Sequence, residues 1–228
     1  YVTGTEVKSV ADRQCLEIKT PEGRPVLTFT DTRQIKVVDA PNTNLGKLGV
    51  TPQVKGQYRT AITRVDGRPA LEITLLEDQD ERKILPRYAE FELSSPPTLP
   101  GRPFALNVRT KGNGGWGKLM VELIDAKGRK FTSLEEGAAG HRGLPYFIFD
   151  GWQTMQILLP GQFEADQSMK WPGNESWRGS SEVAYPVTLT KIIVLMRPHI
   201  LYVDEERKVD NRSVYIESLS VTEAPEGM

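Results

Sequence analysis

Residues 118–131 read KLMVELIDAKGRKF, and their order decides the fold class. Leu119, Val121 and Leu123 recur at every second position. Successive side chains of a strand point to opposite faces, so this spacing predicts a strand with one face on a core. Asp125-Ala126-Lys127-Gly128 then suits a type I turn closed by a glycine at positive φ. Arg129 to Phe131 opens the returning strand.

The same period of two extends outward from there. Leu71, Ile73 and Leu75 alternate with Glu72 and Thr74, and Ala89, Phe91 and Leu93 with Glu90 and Glu92. Phe104, Leu106 and Val108 alternate with Asn107 and Arg109, and Met155, Ile157 and Leu159 form another set. Val187 to Met196 begins as alternation and becomes continuously apolar, as a central strand covered on both faces requires. Ser213 to Val221 reads as the last strand. Asp66-Gly67 between two alternating stretches predicts a two-residue hairpin, and Pro69 predicts that its second arm is an edge or starts after the proline.

Helical signals are weak. Val10 to Ile18 fits a short helix or a strand, and Leu76 to Leu85 fits one or two helical turns before Pro86. No segment sustains an apolar stripe at helical spacing over three turns. About nine or ten short strands with turn signals between them predict an all-β sandwich or barrel. Gly161 to Pro186 is a long connection without clear strand pattern, and residues 223–228 read as a linker or tail.

The chain has 228 residues, 29 Lys and Arg against 30 Asp and Glu, and a net charge of −1. That balance argues against a nucleic-acid binder, which carries a basic surplus. With 38% hydrophobic and 26% charged residues the composition is that of a folded domain. No run approaches the roughly 18 apolar residues of a membrane span. Cys15 is the single cysteine, which excludes an intrachain disulfide and any cysteine-built metal site; a small buried hydrophobe is its plain reading. The opening at Tyr1 fits a processed protein or a piece of a longer one.

Residues Tyr88 to Val221 resemble the galactose-binding-like jelly-roll sandwich found in carbohydrate-binding modules and accessory domains of bacterial glycan-acting enzymes. The resemblance rests on Leu99-Pro100-Gly101-Arg102-Pro103 before the strand at Phe104, on Lys111 to Gly117, on Leu119 to Gly128 and on Asp150-Gly151-Trp152-Gln153. It continues through Ile157 to Pro160, Leu189 to Val194 and Val214 to Val221. It implies an antiparallel two-sheet jelly roll as a single domain over residues 1–222. Sugar would then bind on end loops or on an open sheet face. It also implies that a structural calcium is common, that Trp152 packs in the core, and that the protein is secreted, periplasmic or at the cell surface.

Aromatic rings stack on the C–H faces of sugars while polar neighbours take the hydroxyls. Trp171, Asn174, Trp177 and Arg178 share the long connection and form the expected ligand site, with Trp116 in a glycine-rich turn as a further candidate. The competing reading folds these rings into a small local core. Asp31, Asp39 and Glu217 are carboxylates that could meet at a calcium, whereas residues 77–81 and 204–206 read as solvated acidic turns. His141 and His199 have no metal-binding spacing, and no nucleophile elbow is present.

The expectation is therefore a noncatalytic carbohydrate-binding or accessory module of a larger secreted glycan-acting protein. Its expected partners are a polysaccharide or oligosaccharide and a neighbouring catalytic domain in the same chain, with no nucleic acid and no membrane span. A purely structural inter-domain sandwich is the second reading, and a jelly-roll glycan hydrolase or lyase stands behind both.

Overall fold

The computed structural model describes residues 5–10, 13–18, 23–38, 54–76, 85–133, 146–159, 177–178, 183–198, 201, 203–204, 206 and 209–223. Its strands are β1 (Thr5–Val10), β2 (Arg13–Ile18), β3 (Arg24–Thr28), β4 (Ile35–Val37), β5 (Val54–Lys55), β6 (Tyr58–Val65), β7 (Arg68–Leu75), β8 (Arg87–Leu93) and β9 (Ala105–Asn113). They continue as β10 (Lys118–Ile124), β11 (Lys130–Ser133), β12 (Asp150–Leu158), β13 (Trp177–Arg178), β14 (Thr188–Met196), β15 (Val203–Asp204), β16 (Val209–Asp210) and β17 (Ser213–Thr222). A single 3-10 turn at Thr32–Gln34 is the helical element among the described residues. Val10 and Arg13–Ile18 are thus strand residues: β1 and β2 pair antiparallel from Thr5↔Ile18 to Val10↔Arg13. The helical turns expected after Leu76 fall largely outside the described residues.

Two sheets make a jelly-roll sandwich. One runs β13-β11-β10-β14-β8-β4, with β5 beside β8 as a short parallel addition. The other runs β12-β9-β17-β7-β6, with β3 also on β17. Alternate side chains of both sheets meet between them. Leu71, Ile73, Phe91, Leu106, Val108, Leu119, Val121, Phe131, Ile192, Val194 and Ile216 are all within 1% of fully buried, so the period of two marks the core as predicted. β14 sits between β10 and β8, and its two faces are both buried. Ile192 and Val194 face the main core, while Ile193 and Leu195 join Tyr88 and Met120 in a second cluster on the outer side of that sheet.

The turns follow their chemistry. Asp66 and Gly67 take φ of 52° and 80°, the left-handed pair that a two-residue hairpin needs. Gly128 takes φ of 76° and its amide donates to the Asp125 carbonyl at 2.9 Å, closing the turn between β10 and β11. The Asp125 carboxylate accepts the amides of Lys127, Arg129 and Ala184 and the Arg129 Nε, so this turn also ties down the segment entering β14.

Pro69 corrects one expectation. β7 starts at Arg68 and includes the proline, and it lies between β17 and β6 rather than at the sheet edge. Val65 and Arg68 flank the turn, so the Pro69 nitrogen points away from β6. The partner on that other side, β17, pairs with β7 only through Leu71–Thr74. No ladder bond is asked of the missing N–H. The long connection also departs from expectation: Trp177 and Arg178 form β13, which pairs with Ser133 and Thr132 and extends the sheet.

Candidate functional site

The outer face of the six-stranded sheet is built from the polar members of each alternating pair. On β9 these are Asn107, Arg109 and Lys111, directly opposite Gln156, Thr154 and Trp152 of β12. β17 supplies the other side, and there the alternation breaks. Ile216 pairs with Thr110 and Ser218 with Arg109, so Glu217 is an inserted residue. A bulge re-aims side chains. Here it places Glu217 and Ser218, consecutive in sequence, in the same groove.

The bulge also divides β17 between two neighbours. Residues Ser213–Ile216 pair with β7, and Ser218–Val221 pair with β3. Beyond Leu71 the β6–β7 hairpin has lost its place beside β17 and leaves the sheet. Its tip turns back over the outer face: Asp66 Oδ2 accepts the Trp152 indole N–H at 2.8 Å and faces Lys111 Nζ at 3.3 Å. β7 and β12 stand three strand spacings apart, about 14 Å in a flat sheet. The Asp66 contacts therefore require the tip to bend over β17 and β9. The hydrogen bond from Trp152, then that from Lys111 and its charge, hold the Asp66 carboxyl below the ordinary carboxylate value.

Beneath this arm lies a cavity of about 330 Å³ lined by Arg68, Asn107, Arg109, Thr154, Glu217, Ser218 and Ser220. That is at the lower end of small-ligand pockets. Arg68 Nη1 stands 3.4 Å from a Glu217 oxygen and Arg109 Nε 3.9 Å from the same oxygen. The Arg109 guanidinium also lies 5.7 Å over the Trp152 ring, within cation–π reach. Trp152 is half-buried on the outer face of the sheet, against Arg109, and not in the core; the alternation that buries Met155 and Ile157 sends Trp152 outward.

Two buried side-chain polar atoms have no hydrogen-bond partner among the described residues, Asn107 Nδ2 and Thr222 Oγ1. Both belong to the polar face of β9 and β17. Gly23 closes this end of the groove. A Cβ there would lie 2.5 Å from Ser220 Oγ and 3.0 Å from Asn107 Nδ2, so only glycine allows β3 to approach so closely.

The residues singled out in the sequence do not converge here. Trp171 and Asn174 lie outside the described residues. Trp177 and Arg178 are placed by their backbone in β13, on the opposite sheet. Trp116 is 56% exposed beside Ile148, which is 57% exposed. Its φ of 54° is uncommon for a bulky residue. Its amide is fixed to the Phe147 carbonyl at 3.2 Å, so the loop presents the indole outward at some strain.

Asp31 caps the 3-10 turn and pairs with Arg33, Glu217 faces two arginines, and Asp125 is filled by N–H donors. Calcium needs 6–8 oxygens. No group of three His, Cys, Asp or Glu residues gathers among the described residues. Asp39 lies outside them.

No family model matches the sequence, and no curated protein matches it. Among solved structures the chain is similar in outline to the family 11 carbohydrate-binding module of the cellulosomal cellulase Lic26A-Cel5E of Clostridium thermocellum. The TM-score is 0.47 at 10% identity, covering 90% of this chain and 97% of that one. An exo-beta-agarase matches with a TM-score of 0.42 at 14% identity over 89% of this chain and 25% of its own. TmCBM61, solved with beta-1,4-galactotriose, gives 0.30 at 14% identity over 89% and 91%.

Proposed function

We propose that the protein is a noncatalytic carbohydrate-binding or accessory module of a larger secreted glycan-acting protein, and that sugar binds in the groove on the outer face of the six-stranded sheet. The observation that carries this reading is the groove itself. It brings together an amide, three hydroxyl side chains, two guanidiniums and a carboxylate, with the Trp152 indole against the Arg109 guanidinium. A sugar presents a C–H face to the ring and hydroxyls to the polar groups, which matches that set. Among the described residues Glu217 is the one carboxylate lining the cavity, whereas glycoside hydrolysis uses two. Binding employs every group present.

The test is calorimetric titration against plant, algal and microbial oligosaccharides, with Trp152→Ala, Arg109→Gln, Trp116→Ala and a Trp171→Ala/Trp177→Ala pair. Loss of binding in the first two with retention in the others supports the groove. Loss confined to the last two sets moves the site to the exposed turn or the long connection. Absence of binding to the whole panel, with the fold intact, leaves the structural inter-domain reading.

A further inference from the structure

Resting on that reading, the geometry points to an anionic sugar as the ligand: a glycan unit bearing a carboxylate or a sulfate ester, seated between Arg68 and Arg109. Among the described residues three charges line the cavity, two guanidiniums and the Glu217 carboxylate, a surplus of one positive charge. The protein makes tight arginine pairs elsewhere, Arg129–Asp125 at 2.8 Å and Arg212–Asp210 at 2.9 Å. In the groove two arginines share one carboxylate at longer range: Arg68 Nη1 donates to both Glu217 oxygens at 3.4 and 3.5 Å, and Arg109 Nε stands 3.9 Å away. Both guanidiniums line the cavity, and a planar fork of donors is suited to an oxyanion.

The neighbouring charges do not cancel this surplus. Lys111 is matched by Asp66, and Glu72, which accepts from the Thr74 and Ser213 hydroxyls, lies farther along β7 and is not part of the cavity lining. Asn107 Nδ2 adds an N–H dipole without an acceptor. The hydroxyls of Thr154, Ser218 and Ser220 line the same floor and suit the ring hydroxyls of the sugar. With one ligand anion present, two guanidiniums face two negative groups, and the cluster is neutral. The Arg109 guanidinium stacks on Trp152, so one side chain links the anion to the ring that would carry the sugar face.

The experiment titrates the intact protein with three tetrasaccharides by calorimetry: oligogalacturonate, a sulfated galactan fragment, and neutral β-1,4-galactan. Binding of either charged probe about tenfold tighter than the neutral one, weakening as salt rises, is expected. The carboxylated and sulfated arms tell which oxyanion is preferred. Arg68→Gln and Arg109→Gln erase the preference. Glu217→Gln strengthens charged-probe binding, because it removes the competing carboxylate; a merely structural Glu217 gives no such gain. Equal or tighter binding of the neutral probe overturns the anionic assignment and leaves the groove as a sugar site. Binding of none of the three, nor of any glycan in the wider panel, overturns the sugar reading itself.

Discussion

Gly23→Ala separates the groove from the stability of the fold. The added Cβ would meet Ser220 Oγ at 2.5 Å, Ser220 Cβ at 3.0 Å and Asn107 Nδ2 at 3.0 Å. The hydroxyl can rotate away, but Ser220 Cβ cannot, so β3 or β17 must give by a few tenths of an ångström. Strain of this kind costs about 1 kcal/mol at the mild end of overpacking. Gly23 is not at positive φ, so alanine also restricts the unfolded chain, a gain of about 0.4–1 kcal/mol. The two nearly cancel, and the melting temperature should move by less than about 4 °C in a chain of this size. Binding should respond far more, because Ser220 turns out of place and the end of the groove narrows; a loss of about tenfold is expected from one displaced hydrogen-bonding group. Gly128→Ala is the control. Its φ of 76° is strained for alanine, nothing lies within 4 Å, and it is in the turn of the other sheet. It should cost about 1–2 kcal/mol with sugar affinity unchanged. Melting curves and titrations of both variants decide the matter. Wild-type affinity in Gly23→Ala, or a binding loss in Gly128→Ala of equal size, refutes the reasoning.

Three further outcomes are expected. Burial works against the Asp125 charge, but the Arg129 and Ala184 amides, the Arg129 guanidinium and the Lys127 amide outweigh it and hold the carboxyl at about 2, against an ordinary 3.8. A depressed carboxyl stabilises the fold above its unfolded value, and that contribution disappears as pH falls from 3.8 toward 2. Urea unfolding between neutral and acid pH should therefore show a shallower acid limb in Asp125→Asn, on top of a lower midpoint at neutral pH. Phe91→Ala empties a fully buried position between the sheets and should cost roughly 3–5 kcal/mol in the same assay, with a marginal loss sinking the two-layer packing argument. Trp152→Phe keeps a ring for stacking but removes the N–H that Asp66 accepts, so amide exchange in residues 64–68 should quicken while sugar affinity falls less than in Trp152→Ala.

The two layers were legible because burial imposes the period of two. Leu71, Ile73, Phe91, Leu106, Val108, Leu119 and Val121 alternate in sequence for the same reason that they meet in the core. The groove was not legible, and the reasons are specific. Arg109 and Asn107 were visible as the outward members of their strand, but an outward polar residue is ordinary until its neighbours are known. Those neighbours come from β12 and β17, 40 or more residues away. The bulge at Glu217 leaves only a faint mark, the three-residue step from Ile216 to Leu219 in an otherwise alternating strand, and that step does not say which neighbours the strand takes on either side. Trp152 reads as core because the family resemblance implies a packing tryptophan at that strand entrance, and only the register against Lys111 shows which face it takes. The exposed indole of Trp116 was flagged by its glycine-rich turn, but the same turn would equally fit a packed cap.

Why one sheet should carry the site follows from the same accounting of faces. The outer side of the seven-stranded sheet is occupied by apolar burial at Tyr88, Met120, Ile193 and Leu195, and next to them Lys191 is paired with Glu90 at 2.8 Å. Charges there are matched at close range. On the six-stranded sheet the corresponding positions are polar, loosely paired and partly without partners. The difference traces to one edge of β17. Because β3 takes over from β7 after the bulge, the β6–β7 arm is released and can fold across the face, and Pro69 costs nothing in the stretch so freed. Folding the arm back supplies Arg68 as one wall and Asp66 as the anchor on Trp152. A regular β17 would keep β7 paired along its length and give a flat polar sheet, with Arg68 and Arg109 on separate strands and no cavity between them.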